Sequence, residues 1–421
     1  MTPVAGFERA SIDIVLSLNC HIDNFSIAGW GGGESQGRKA ENSFREERRL
    51  MRVLHISGDA QVGGIESFLI TLARNKAVDQ ASTHDFAFTS EGPAIEKIRL
   101  TGAQVHYLGG NASYKDPKAL LLARRRLSKI CRKYKYDVGV LHNYPYLIAA
   151  FADVLWWRKV KMVRYFHNET HPTSRLERLV RVVHTRFLDL SVFDSNFLRK
   201  CMPDKKGTVV YYPVDRQIEL TEGKRNEIRA RFATPAEHPL VIQVCRMAER
   251  KGHSRLLRAL GTLKFLPWTC WIVGGPQREK EISYFDSLKN LTNELGIADR
   301  VRFLGTRIDV PELLAAADIF CHPNTYPPEP FGIAFVEALQ AGLPVVTSAM
   351  GGAMEIVSEQ CGFLVPPEDN VALADALRRL LTEKRLRQEM SASARTRGEV
   401  FKASVQIPLL NAALTTALAS S

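Results

Sequence analysis

From Met51 onward, short runs rich in Val, Ile and Phe alternate with longer amphipathic stretches. An apolar run followed by a stretch with one apolar stripe reads as a strand and then a helix. RVLHIS leads into GGIESFLITLARNK, and DFAFT leads into PAIEKIRLTGA. QVHYL, a basic helix over 117–134, DVGVLH, a second apolar helix and KMVRYFH come next, then another helix, LSVF, SNFLRKCM and TVVYY. Such repetition predicts a parallel sheet with helices on both faces. Residues 216–239 break the rhythm with a short charged helix (KRNEIRARFA) and then TPAEHP, which places an interdomain linker there. Alternation restarts with the strand PLVIQVCR, the helix KGHSRLLRALGTL, the strand WTCWIVGG and a long helix stopped by Gly296. VRFLG, VPELLAAA, DIFCHP, FGIAFVEALQAG and PVVTS complete it. The expected fold class is α/β, as two doubly wound domains facing each other across a cleft. Ligands belong at the carboxyl ends of the strands.

Residues 1–50 contain GWGGGESQGRK and SFREERRL and are expected to form a flexible extension, with Met51 as an alternative start. The best apolar run, over 144–157, includes Pro145 and Asp153 and is too short to cross a membrane. No secretory signal is apparent: Glu8 precedes the short apolar run over 12–18. The seven cysteines are scattered and form no C-x-x-C, which argues against a disulfide framework or zinc site and favours a reducing compartment.

Charge narrows the choice of partner. The net charge is +12 over 421 residues, but residues 51–215 hold 26 basic and 15 acidic side chains, or +11. Nucleic acid, an anionic membrane and phosphorylated substrates all suit a basic surface. No helix-turn-helix or zinc-finger pattern appears and the basic helices do not interleave aromatics, so nucleic acid is not expected as a partner. G-x-G-x-x-G, the P-loop, D-x-D and H-E-x-x-H are absent. His167 and His171 have ligand spacing, but Pro172 follows at once and no third ligand is evident, so no metal site is assigned.

The candidate chemistry lies in two segments. EPFGIAFVE (329–337) follows a strand and a Pro-rich loop and opens a helix. Glu329 then lies in the loop and Glu337 on the helix, where they address two parts of one extended ligand. Amides of Phe331, Gly332 and Ile333, just after Pro330, stand at the helix start, ready for a phosphate. In VCRMAERKGH (244–253), Arg246 ends a strand and Lys251 starts a helix, two cations suited to a diphosphate.

With these motifs the chain resembles the retaining glycosyltransferases of family 4, which have the GT-B fold. The likeness runs through most of residues 51–400. Further pieces fall in family order: VGGIES (Gly63, Gly64, Glu66), DVGVLH, RYFH with His167, SVFDSNF with Ser195, YYPVD with Asp215, and GGAMEIV (Gly351, Gly352, Glu355) before CGFLVPPED. Two departures stand out. Cys245-Arg246-Met247 replaces Gly-Arg-Leu, and Tyr212-Pro213-Val214-Asp215 replaces Asn-Gly-Val-Asp.

The resemblance implies an acceptor-binding domain over 51–217, a nucleotide-sugar domain over 218–395, and a C-terminal helix over 396–421 packing back on the first. It gives Arg246 and Lys251 to the diphosphate, Glu337 to the ribose and Glu329 to the transferred sugar. His167 would touch the reacting sugar or acceptor, and Gly63 and Gly64 a phosphate or the acceptor. Bland readings stay open beside these. His167 can be a structural strand-end histidine, Gly63 and Gly64 a helix start, and Glu355 helix-cap chemistry. No cofactor is implied, the UDP- or GDP-linked sugar being a co-substrate, and no divalent metal is required. A glycan or lipid-linked acceptor in bacterial envelope or exopolysaccharide synthesis is implied, at the cytoplasmic face of a membrane. Basic clusters on the 117–136 segment, at Trp156-Trp157-Arg158-Lys159 and at Arg175, Arg178 and Arg181 suit anionic lipid or plain solvation. An epimerase or phosphorylase on the same fold and a non-catalytic sugar-nucleotide binder are the alternatives.

Overall fold

The structure, a computed structural model, describes residues 50–419 apart from 62, 79, 110–115, 143–144, 169–187, 203–206 and 216–217. The expected extension before Leu50, His171 and the cluster at Arg175, Arg178 and Arg181 lie outside the described residues.

Among the described residues, the first half of the chain supplies β1 (Met51–Ser57), β2 (Ser82–Phe88), β3 (Val105–Tyr107), β4 (Val138–His142), β5 (Lys161–Phe166), β6 (Leu190–Phe193) and β7 (Thr208–Val209). They form one parallel sheet in the order β3-β2-β1-β4-β5-β6-β7. Between them run α1 (Gly64–Arg74), α2 (Pro93–Arg99), α3 (Pro117–Tyr134), α4 (Pro145–Trp157) and α5 (Asn196–Cys201). The second half begins with α6 (Glu222–Arg231). Its strands β8 (Leu240–Val244), β9 (Thr269–Val273), β10 (Val301–Gly305), β11 (Ile319–His322), β12 (Val345–Ser348) and β13 (Gly362–Val365) order as β10-β9-β8-β11-β12-β13. Its helices are α7 (His253–Thr262), α8 (Glu279–Glu294), α9 (Val310–Ala316), α10 (Ile333–Gln340), α11 (Ala353–Ile356), α12 (Asn370–Thr382), α13 (Lys384–Glu399) and α14 (Ala403–Ala419).

Local sequence explains much of this. All five residues of β4 and of β9 are buried, as a strand covered on both faces requires. The α3 helix starts at Pro117, and the Asp116 carboxylate accepts from the Ala119 amide at 3.0 Å. Its stripe of Ala123, Leu127 and Cys131 is buried, while Arg125, Lys129, Arg132 and Lys133 face solvent. Gly296 follows α8 with a left-handed φ of 67°.

Three details differ from the pattern-based expectation. CGFLV forms a sixth strand of the second sheet; its apolar run is short and begins at a glycine, so periodicity hides it. TVVYY keeps only Thr208–Val209 in the sheet, because the chain turns away to pack Tyr211 and Tyr212 against Phe331. The short charged helix expected in the linker is present as α6 but is anchored to the second half: Asp318 takes Arg225 at 2.6 Å, Arg229 at 3.2 Å and the Leu240 amide at 2.7 Å.

Contacts bind the chain from Leu50 onward into one unit. One core cluster runs from Phe68 and Tyr165 under the first sheet through Phe331, Phe401 and Ile407 to Phe320 and Phe335 under the second. The α14 helix packs on β5 and α1 of the first half. Gln406 accepts from the Tyr211 amide at 3.0 Å, and Asp215 accepts from Ala403 at 3.2 Å. In both sheets the strand order reverses beside the first strand, β1 or β8, which opens a crevice at the carboxyl ends. The two crevices share a cavity of about 510 Å³.

Candidate active site

Each wall of the cavity is built from loops at strand ends. After β1, the Asp59 carboxylate accepts from the Ala60 and Gln61 amides at 2.7 and 3.0 Å and turns the chain into α1. Gly63 caps that helix and Gly64 begins it, so both do start a helix. Gly64 also lines the cavity, and a Cβ there would lie 3.6 Å from Ile333 on the opposite wall. Glu66, in the first turn, lines it too. Burial raises the Glu66 carboxyl to about 7; the Asp59 charge adds to this, and hydrogen bonds from the backbone oppose it.

His167 and Asn168 follow β5, and Asp194 follows β6. The His167 ring is engaged at both nitrogens, Nε2 by His142 Nδ1 at 2.8 Å and Nδ1 by the Tyr212 hydroxyl. His167 lines the cavity itself, as does Tyr212. Tyr212 is one of this chain's departures from the family pattern. Asp194 was missed by sequence reasoning. It is 1 % exposed, its Oδ1 accepts from Ser195 Oγ at 2.9 Å, and its Oδ2 finds no hydrogen-bond partner. Burial drives its carboxyl well above the usual range, helped by Glu355 and Glu329 and resisted by the Ser195 hydrogen bond. A carboxylate directly after an apolar strand was the available signal.

The opposite wall carries fixed charge. Lys251 ends a 3₁₀ turn (Glu249–Lys251) rather than starting a helix, and α7 begins after Gly252. Its ammonium bonds the Glu329 carboxylate, which also accepts from Arg250 Nη1 at 2.9 Å. Burial alone would raise the Glu329 carboxyl, but Lys251 and Arg250 outweigh it and hold it at about 2. Arg250 also escaped the sequence reading. Pro330, Phe331, Gly332 and Ile333 complete this wall. Gly332 has φ +99°, and a Cβ would lie 2.5 Å from the Phe335 ring, so glycine is required. The Phe335 amide donates to the Gly332 carbonyl at 3.0 Å at the start of α10, so the amides of Phe331, Gly332 and Ile333 stand ahead of the helix ladder. Gly352 supports the loop from behind: its amide donates to the Glu329 carbonyl at 2.9 Å, and a Cβ would meet the Pro330 and Phe331 carbonyls.

Not every expected residue joins this cavity. Arg246 sits with Nε 3.2 Å from Glu281, whose other oxygen accepts from the Gln277 amide. Glu337 is buried in α10, and neither it, Arg246 nor Gly63 lines the cavity. Glu355 serves as a cap across the two halves. Its carboxylate accepts from the Asn196 and Phe197 amides at 2.9 and 2.7 Å and from the Tyr211 hydroxyl at 3.1 Å. Ser195 caps the same helix by accepting from the Leu198 amide.

Known proteins match this arrangement. The profile for glycosyl transferases group 1 matches residues 224–397, and that for glycosyltransferase family 4 matches residues 62–217. The lipopolysaccharide core biosynthesis glycosyltransferase LpsD of Rhizobium meliloti (strain 1021) is 36 % identical over 351 residues, 81 % of this chain and 91 % of that protein. Among solved structures, a glycosyltransferase from Rickettsia africae ESF-5 aligns with TM-score 0.78 at 19 % identity, over 89 % of this chain and 100 % of its own. Anabaena Alr3699/HepE in complex with UDP-glucose aligns with TM-score 0.74 at 24 % identity, over 87 % of this chain and 100 % of its own. At these identities the likeness establishes the fold, the two facing α/β sheets of GT-B.

Proposed function

The chain belongs to the group 1, family 4 glycosyltransferases, and on that premise we propose the donor, the acceptor and the residues that serve each. The donor is a UDP- or GDP-linked sugar bound against the second sheet. The acceptor is a hydroxyl of a glycan or lipid-linked glycan of the lipopolysaccharide-core kind, held against the first, as suits a relative named for lipopolysaccharide core biosynthesis. The division falls near residues 217 and 218. The carrying observation is the Lys251–Glu329 pair at the N-terminus of α10, facing the cavity.

The chemistry follows from the charges. Breaking the bond between the sugar and the diphosphate leaves positive charge on the sugar and negative charge on the departing group. Lys251, the amides around Gly332 and Arg246 at the end of β8 stabilise the departing charge without reorganisation. Glu329, ionised between two cations, receives sugar hydroxyls as hydrogen-bond donors, and Glu337 takes the ribose. Gly64 and Glu66 border the acceptor side, where the hydroxyl attacks with retention, as in the family.

An anionic membrane surface is the proposed setting. No described helix is long and apolar enough to cross a membrane. Yet Trp156 and Trp157 at the end of α4 are 60 % and 75 % exposed, and Leu121 and Leu122 of α3 are exposed as well. Arg125, Lys129, Arg132, Arg158 and Lys159 are exposed beside them. Aromatic rings at headgroup level ringed by cations favour anionic lipid by about 1 kcal/mol per basic residue.

Thermal shifts against UDP-, GDP- and ADP-sugars test the donor, since a bound ligand raises apparent stability. A rise with one base and sugar, followed by its transfer to a lipid-linked core glycan, is expected. Turnover of the nucleotide sugar without any acceptor points instead to an epimerase, and dependence on free phosphate to a phosphorylase.

A further inference from the structure

Two cations meet one carboxylate at the edge of the cavity. Glu329 Oε1 accepts from Arg250 Nη1 at 2.9 Å and from the Lys251 ammonium, so both bonds fall on one oxygen and Oε2 is left for a ligand. Lys251 and Glu329 line the cavity, and Arg250 does not. The Arg250 side chain is 32 % exposed, against 13 % for each of the other two, so it reaches the carboxylate from outside.

Local structure fixes this arrangement. Arg250 and Lys251 are consecutive in the 3₁₀ turn (Glu249–Lys251), and that turn is tied to the loop that carries Glu329. The Arg250 carbonyl accepts from the Thr325 amide at 2.8 Å, and the Lys251 carbonyl accepts from Gln243 Nε2 of β8 at 2.7 Å. Gly252, at φ +74°, lies directly on the same loop: a Cβ there would be 1.9 Å from the Pro323 carbonyl oxygen. The turn therefore brings two side chains to one carboxylate, one within the cavity and one behind it.

Donor binding separates the roles of the two cations. Among the described residues lining the cavity, Lys251 is the Lys or Arg available to a diphosphate. Once engaged, its charge is offset by the diphosphate and holds Glu329 less firmly against burial. The negative diphosphate acts on Glu329 in the same direction as burial. Arg250 stands outside the cavity and keeps its bond, and a guanidinium stays charged at any working pH. The other titratable groups around Glu329 give no such support. Burial holds His322, at the end of β11, well below the usual imidazole value, so it is uncharged. Burial pushes the Cys245 thiol up to about 12, and Asp194 is a like charge whenever it ionises.

We infer that Arg250 is a positioning residue of the donor site: it holds the Glu329 carboxylate for the hydroxyls of the transferred sugar once the diphosphate has engaged Lys251. This rests on the proposed assignment of Lys251 and Glu329 to the donor. Arg250 touches neither donor nor acceptor and acts through Glu329, with Oε1 held and Oε2 presented to the sugar.

The test replaces Arg250 in the full chain. The probes are the UDP- or GDP-linked sugar that raises the melting temperature and, as its sugar-free control, UDP or GDP alone. Arg250→Ala is expected to lower kcat by about ten- to a hundredfold, the scale of a hydrogen bond to a charged group. It is expected to weaken binding of the nucleotide sugar while UDP or GDP binds as before. Glu329 acts ionised and its carboxyl rises when a cation is removed, so the acidic limb of the kcat profile is expected to move to higher pH. Arg250→Lys is expected to recover part of kcat and to return that limb toward its original position. In a Glu329→Gln background, with no carboxylate to hold, Arg250→Ala is expected to change kcat by less than about twofold. Four results overturn the positioning role: kcat of Arg250→Ala within about twofold of the unsubstituted chain, UDP or GDP binding lost in step with the nucleotide sugar, an unmoved acidic limb, or a full loss on top of Glu329→Gln. An unsubstituted chain that binds no nucleotide sugar overturns the proposed function, and this role with it.

Discussion

The two walls of the cavity handle buried polarity in opposite ways. On the first-sheet wall, burial works against charge: it raises the Glu66 and Asp194 carboxyls and lowers the His167 imidazole. On the second-sheet wall, a buried carboxylate is kept charged and paired: Glu329 is held at about 2 by Lys251 and Arg250. Burial penalises charge on both sides. The difference is the cation supply, because among the described residues lining the cavity Lys251 alone is a Lys or Arg. On the proposed function, the paired charges of the second wall suit a departing diphosphate.

The contrast breaks hardest at Lys251. Lys251→Ala should cut kcat/KM by about 10²–10³, the scale of one preorganised charge-stabilising group. Circular dichroism should show a folded protein, and Glu337→Ala should behave likewise. Full activity in both sinks the donor-site assignment.

The first wall is probed by pH. Because the Glu66 value in the folded state lies above 4.5, its protonated form is favoured there. That stabilisation is full below about 4.5 and is lost as pH rises through about 7. Melting curves at several pH values should show Glu66→Gln escaping this loss, with a gain over the unsubstituted chain of roughly 3 kcal/mol above pH 8. Parallel profiles for the two proteins contradict the raised Glu66 value.

Gly332→Ala should cost about 1–3 kcal/mol, from the positive φ and the Phe335 ring. It should also weaken donor binding, seen as a smaller thermal shift with nucleotide sugar. The smallest effect concerns the seam between the walls. Glu355→Gln removes part of the cap on Asn196 and Phe197 and should lower stability by about 1 kcal/mol. A melting temperature within experimental error of the unsubstituted chain argues that the seam bears little weight.

Much of the charged wall was legible in sequence, since Lys251-Gly252 and Glu329-Pro330-Phe331-Gly332 are contiguous motifs whose backbone requirements are local. Arg246 shows the boundary of that reading. Its strand-end position could be read, but its pairing with Glu281, 35 positions on, could not. The first wall was less legible. Asp194 lies within SVFDSNF, where only its neighbour Ser195 was singled out, and RVLHIS, DVGVLH and RYFH each display a histidine near a strand end without revealing that register aligns them. Tyr212 was visible as a departure from the family pattern, whereas its bond to His167 depends on the chain leaving β7 early.

The sequence by itself determined the α/β alternation, the basic first half, the helix-opening EPFG loop and the family. Each follows from residue types a few positions apart, because strand period, helix period and turn chemistry act over that range. Tertiary structure decided which groups meet. A hydrogen-bonded line of His84, His55, His142 and His167 joins residues 25 to 87 positions apart, and the Glu355 cap reaches across 159. Such meetings depend on strand register and on how the two sheets pack, and no local pattern encodes either.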